Sequence, residues 1–267
     1  MKNRKALLVI SFGTSHPDTR KKTIEACEKL IKNNIKNYDF YSAWTSTMII
    51  KKLSKNGEII EYPSQTLQKL VKIGYKDILI QSLHIINGQE YEKLLEIIKI
   101  FRDKFDSIKI GRPLLSKLED YDEVVDFIEE VTKYDNIENK LDTATLWMGH
   151  GTEHTAHSSY AGLEYRLRKR EIKSYIGTVE GHPSIEDVIY FMKKDGINKV
   201  NLRPFLLVAG DHAKNDMAGQ DENSWLNRLK AEGFKVKVHM EGIGEFEKIQ
   251  NIFLNHTLEA LGGIDEQ

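Results

Sequence analysis

The feature that most restricts the fold is a regular alternation of short apolar runs with longer amphipathic segments. Residues 6–10, 40–44, 78–80, 108–110, 145–148, 174–179, 200–207 and 236–240 are apolar stretches of strand length. Between them, residues 19–33, 64–73, 88–105, 121–133, 158–170, 185–195 and 223–232 carry apolar side chains at helical spacing. Strands apolar on both faces and separated by helices predict parallel sheets covered on each side, an α/β fold. Helix starts are marked chemically: Ser64 opens one, and Pro183-Ser184 precedes Ile185 with Glu186 and Asp187 in the first turn.

The two halves of the chain echo one another. LLVISFGTSH at 7–16 lies over TLWMGHGTEH at 145–154, YSAWTS at 41–46 over YIGTVE at 175–180, and IINGQE at 85–90 over LVAGDH at 207–212. Three matches in the same order predict a duplicated unit: two similar Rossmann-like domains, each a parallel sheet flanked by helices, with a cleft between them. The polar stretch 134–141 sets the expected boundary, giving domains 1–138 and 139–267, with the last helix free to pack back on the first.

Divergence within the repeat locates the chemistry. Phe12 stands where the second half has His150, Ser46 where it has Glu180, and Glu90 where it has His212. All fall at or just past the carboxyl ends of expected strands, where open α/β sheets bind ligands. Two imidazoles and a carboxylate suit Co²⁺, Ni²⁺, Fe²⁺ or Zn²⁺, and three protein ligands leave positions open for exchange. His150, between two glycines, is poorly placed for core packing. Glu180 reads equally well as an ordinary helix-entry carboxylate. Asp211 is a candidate to orient His212, and His84, just before the Glu90 turn, a candidate to line the cleft. His154 and His157 fit a helix start, His157 on a solvated face. His16, His182, His239 and His256 read as structural or exposed. Tyr91, Phe12, Trp44 and Trp225 suit either core packing or stacking on a flat ligand.

Composition narrows the classes. With 39 basic and 40 acidic side chains the net charge is −1, so no global field favours nucleic acid or an anionic membrane. Cys27 is the single cysteine, which excludes an internal disulfide framework and a multi-thiolate zinc site. The apolar run after Met-Lys-Asn-Arg-Lys is too short for a signal peptide, and no stretch is long enough for a membrane helix, so a cytoplasmic protein is expected. The Gly-Thr turns lack the spacing and lysine of a P-loop, so no nucleotide is expected. Ser11 lacks the elbow glycines of a serine hydrolase.

At these residues the chain resembles the class II chelatases, and among them the anaerobic sirohydrochlorin cobaltochelatases. The resemblance spans essentially the whole sequence. It rests on ALLVISFGTS at 6–15, QSLHIING at 81–88 with Glu90-Tyr91-Glu92-Lys93, MGHG at 148–151, and LVAGDHA at 207–213 with Asn215-Asp216-Met217. It implies ATP-independent insertion of Co²⁺ into sirohydrochlorin in cobalamin biosynthesis, with Co²⁺ as substrate metal. His150, Glu180 and His212 would be the metal ligands and His150 also the proton acceptor, with Glu90 as a second catalytic candidate. Ser11, Phe12, Gly13, Thr14, His84 and Glu90 would face the tetrapyrrole. Arg20, Lys51, Lys52, Arg112 and Lys214 are candidate partners for its eight carboxylates. A same-fold chelatase for Ni²⁺ or Fe²⁺, and a non-catalytic metal or tetrapyrrole carrier, remain alternatives. Members of the family are often symmetric oligomers, so a homo-oligomer is compatible with the resemblance.

Overall fold

The computed structural model describes residues 4–137 and 140–262. It divides into two compact units, Met1–Ser116 with Gly244–Gln267, and Lys117–Ile243.

In the first unit, β1 (Lys5–Ser11), β2 (Asp39–Trp44), β3 (Asp77–Ser82) and β4 (Ser107–Gly111) form a parallel sheet in the order β2-β1-β3-β4. Alternation along β1 explains its double cover. Ala6, Leu8 and Ile10 join Leu67 and Leu70 of α4 (Pro63–Ile73) and Leu94 and Ile98 of α5 (Gln89–Phe101) in one buried cluster. Leu7 and Val9 are buried too, and α2 (Ile24–Asn34) and the final helix, residues Glu247–Gly262, complete the unit. Each valine, leucine or isoleucine side chain so withdrawn from water contributes about 1.5–3 kcal/mol, which offsets the entropy of ordering the strand.

The second unit repeats the plan. Its strands β5 (Thr143–Gly151), β6 (Ser174–Glu180), β7 (Lys199–Phe205) and β8 (Lys235–Val238) are parallel in the order β6-β5-β7-β8. Ala144, Leu146 and Met148 pack with Val188 and Met192 of α8 (Ile185–Lys194) and Leu229 of α9 (Trp225–Ala231). The alternate residue Trp147 meets Phe127 of α6 (Leu118–Asp135), with ring centroids 5.7 Å apart. α7 (Ser158–Lys169) packs beside α6 and β6. Shared strand order in both sheets is the structural form of the echo seen in the sequence.

The eight expected strands are all present. The helices differ in detail. The run 19–33 is two helices, α1 (Pro17–Lys22) and α2, because Thr23 leaves the helical region at φ −116°, ψ −83°. Its hydroxyl donates to the Thr19 carbonyl at 2.6 Å, a local bond that competes with helix continuation. The helix α3 (Thr47–Ser54) was not anticipated; Ser46 caps it, its Oγ accepting from the Ile49 amide at 3.3 Å. We label Glu247–Gly262 α10; it packs against α2, β3 and β4. The expected boundary at 138/139 lies outside the described residues. The units part at Ser116/Lys117, so α6 belongs with the second sheet rather than the first. A buried ion pair explains its allegiance: Asp135, its last residue, receives Arg203 of β7 through two hydrogen bonds of 2.6 and 2.7 Å.

Candidate metal centre

In a 2-1-3-4 sheet, successive connections leave the first strand in opposite directions, opening a crevice at the carboxyl ends of strands one and three. In the second unit those are β5 and β7. His150 is the penultimate residue of β5, and His212 follows β7 as the cap of a short π-helical turn, Ala213–Met217. Their imidazoles meet edge to face with centroids 4.4 Å apart and planes at 79°.

The hydrogen bonds of the pair fix its tautomers. His150 Nδ1 lies 3.1 Å from the Gly151 carbonyl, which can only accept, so Nδ1 carries the proton and Nε2 a lone pair. His212 Nδ1 lies 2.6 Å from Asp216 Oδ2, which by the same reasoning leaves its Nε2 unprotonated when the ring is neutral. A carboxylate behind an imidazole orients the ring and raises its basicity toward a metal. Sequence reasoning put Asp211 forward for that role; the structure supplies Asp216. Its signal was the four-residue spacing from His212, which one turn of helix brings together.

Glu180 ends β6 on the other side of β5. Strand register sets it opposite Gly151, and its carbonyl accepts from the Thr152 amide at 3.1 Å. Gly151, at φ +78°, is required here: a Cβ would stand 1.7 Å from the Glu180 carbonyl oxygen. The Glu180 side chain is exposed. Among the described residues no three His, Cys, Asp or Glu side chains are gathered for a metal ion, so the structure brings the two histidines together without closing the trio.

The first unit carries a parallel set at the ends of β1 and β3. Ser11 is buried at the end of β1, and its hydroxyl is the only buried side-chain polar atom without a hydrogen-bond partner among the described residues. Such an orphan carries a desolvation cost that a ligand would relieve. Phe12 is 45% exposed. The indole of Trp44 fills the space a side chain at Gly13 would need, and Thr14 Oγ1 accepts from the His16 amide at 3.2 Å. His84 is held by Ser82, Nδ1 to Oγ 2.8 Å, and faces Tyr91 with ring centroids 6.4 Å apart. Desolvation drives its pKa down to about 4, with Glu90 opposing, so the ring is neutral near pH 7. Glu90 is half-buried and paired with Lys93 at 2.9 Å.

Other expected residues have structural work. Trp44 and Trp225 are buried in the core. Arg20 is engaged by Glu25 and Glu58, at 2.7 and 2.8 Å, and Arg112 by Glu259. Lys52 Nζ reaches Ser15 Oγ at 3.0 Å. Lys51 and Lys52 of α3 and Lys55, which caps its C-terminus, line an open depression of about 410 Å³ with Met48, a cationic surface invisible without α3.

Two parallel sheets of one strand order, with a histidine pair over the switch point of the second, define a protein of the chelatase fold. SirB from Bacillus subtilis, solved with Fe³⁺, superposes with a TM-score of 0.67 at 17% identity, over 97% of this chain and 96% of that one. The chain belongs to the cobalt chelatase (CbiK) family, whose profile matches residues 5–262. It is 40% identical to the sirohydrochlorin cobaltochelatase of Salmonella typhimurium over 97% of each chain. It is 29% identical to the sirohydrochlorin cobaltochelatase CbiKC of Nitratidesulfovibrio vulgaris, over 98% of this chain and 93% of that one.

Proposed function

We propose that this chain inserts Co²⁺ into sirohydrochlorin, without nucleotide hydrolysis, as a cytoplasmic step of cobalamin biosynthesis. The observation that carries the reading is the His150–His212 pair at the β5/β7 switch point, each ring with Nδ1 committed to a backbone or carboxylate oxygen. Both Nε2 lone pairs are thereby left for a borderline cation, which imidazole suits. We assign Glu180, at the neighbouring strand end, as the third ligand, reached by rotation of its exposed side chain.

Insertion releases two protons from the macrocycle nitrogens as the metal–nitrogen bonds form. His150 is the proposed acceptor; its Nε2 cannot hold metal and proton together, so it takes the proton as the metal leaves it. Two imidazoles and one carboxylate leave coordination positions open to the macrocycle nitrogens. In the first unit we assign Ser11, Phe12, Gly13, Thr14, His84 and Glu90 to the tetrapyrrole. The orphan Ser11 hydroxyl supplies a hydrogen bond, Phe12 an apolar platform, and Glu90 a second proton-accepting carboxylate. Lys51 and Lys52 offer charge to the acetate and propionate arms.

The test follows sirohydrochlorin absorbance with Co²⁺ under anaerobic conditions, comparing wild type with His150→Ala and His212→Ala. Turnover in the wild type and its loss in both folded variants is the expected outcome. If all three proteins match the uncatalysed rate, catalysis is overturned, and tight stoichiometric binding of the tetrapyrrole without turnover would then mark a carrier. Faster insertion of Ni²⁺ or Fe²⁺ at equal free metal would overturn the cobalt assignment.

A further inference from the structure

A second imidazole pair lies on the same unit, outside the machinery described above. His157 closes a short turn of 3-10 helix (Thr155–His157) before α7, and His182 follows β6. Their ring centroids are 6.2 Å apart with planes at 54°. His182 Nδ1 lies 3.4 Å from Asp187 Oδ2, a carboxylate itself fixed by the Ser184 amide at 2.8 Å. The two turns are held against each other: a Cβ on Gly181 would meet the Thr152 carbonyl at 2.7 Å and His157 Cβ at 3.3 Å. The Pro183 carbonyl is tied back to Thr178 by hydrogen bonds from its amide, 2.7 Å, and its hydroxyl, 3.1 Å. His154, by contrast, has its Nδ1 occupied by the Ala156 amide at 3.3 Å.

We propose that His157 and His182, the latter oriented by Asp187, form a second and weaker site for a divalent first-row cation. Two imidazoles sharing one ion through bonds of about 2.1 Å have ring centres roughly 4.5–6.5 Å apart, set by the angle at the metal. The observed 6.2 Å falls in that range. A tetrahedral angle needs an approach of about 1 Å, within reach of the solvent-exposed His182 ring. A carboxylate behind His182 is the arrangement that turns the opposite ring nitrogen toward a metal. With two protein ligands and the rest water, the ion exchanges readily. Gly181 alone separates His182 from Glu180, so an ion held here sits two residues along the chain from a proposed ligand of the insertion site. That reservoir role rests on the reading of His150 and His212 as insertion ligands; the cation binding does not.

The experiment measures Co²⁺ uptake by equilibrium dialysis, with visible absorption of the bound ion, on the full chain in three variants. One lacks His150 and His212, one lacks His157 and His182, and one lacks all four, each substituted by Ala. The first is expected to retain one ion per chain, the second to retain one, and the fourfold variant to bind none. Adding Asp187→Asn to the first variant is expected to weaken its remaining site roughly tenfold. If the variant lacking His150 and His212 takes up no more cobalt than the fourfold variant, the inference is overturned. A chelatase-inactive protein whose first variant still binds one ion would sink the proposed function and leave this site standing.

Discussion

His150 and His212 meet edge to face, 4.4 Å between ring centroids, across the strand pair where the second sheet reverses its winding. Neither residue is near the other in sequence, so the contact exists only because β5 and β7 are adjacent. Replacing His150 by Ala is expected to lower cobalt insertion roughly 10²–10⁴-fold, the range for loss of a positioned proton acceptor. Initial rates, with circular dichroism to confirm folding, check this; an unchanged rate would remove His150 from the chemistry.

Asp216 acts through His212. Its substitution by Ala is expected to cost about 10–100-fold in Co²⁺ affinity, because the ring loses the partner that fixes its tautomer. Calorimetric titration of wild type and variant reads the change directly. Asn at the same position, which keeps an acceptor oxygen, should recover part of the loss.

Gly151→Ala is expected to destabilise the protein by at least about 2 kcal/mol, combining left-handed strain with a clash against the Glu180 carbonyl. Urea denaturation at matched conditions measures it. A variant as stable as wild type would mean that the adjacent carboxyl ends of β5 and β6 relax at no cost.

Burial raises the Glu28 carboxyl to about 7, with the Ser42 hydroxyl opposing as a donor. The folded state therefore holds this proton more tightly than the unfolded chain. The resulting stabilisation is complete below the unfolded value near 4.5 and is lost as pH rises through about 7. Glu28→Gln mimics the neutral form, so its melting temperature should exceed that of wild type at about pH 8 and converge with it at about pH 4. Thermal melts across that window test the sign.

The Arg203–Asp135 pair has side chains only 5% and 1% exposed. Removing Arg203 alone strands a buried carboxylate and is expected to cost about 3–5 kcal/mol, whereas replacing both partners by apolar residues of similar volume should cost far less. A double-mutant cycle in urea separates the two cases.

Strand positions and the duplication were legible in the sequence, because apolar periodicity and glycine-flanked turns are local properties. Ala6 to Ile10 read as a strand buried on both faces, and the echo of residues 7–16 at 145–154 read as a repeat, with no knowledge of the fold. The family resemblance drew on the same local motifs. The break at Thr23 turned on one hydroxyl competing with a helical bond, and α3 on a single serine cap; short-range signals of that size are lost among stronger periodicities. Tertiary structure alone decided that α6 joins the second sheet, because the reason is Asp135 meeting Arg203 across 68 residues of chain. It also decided that His157 lies beside His182. Those relations depend on strand order and on the approach of separate turns, and no local spacing encodes the distance between side chains that only packing brings together.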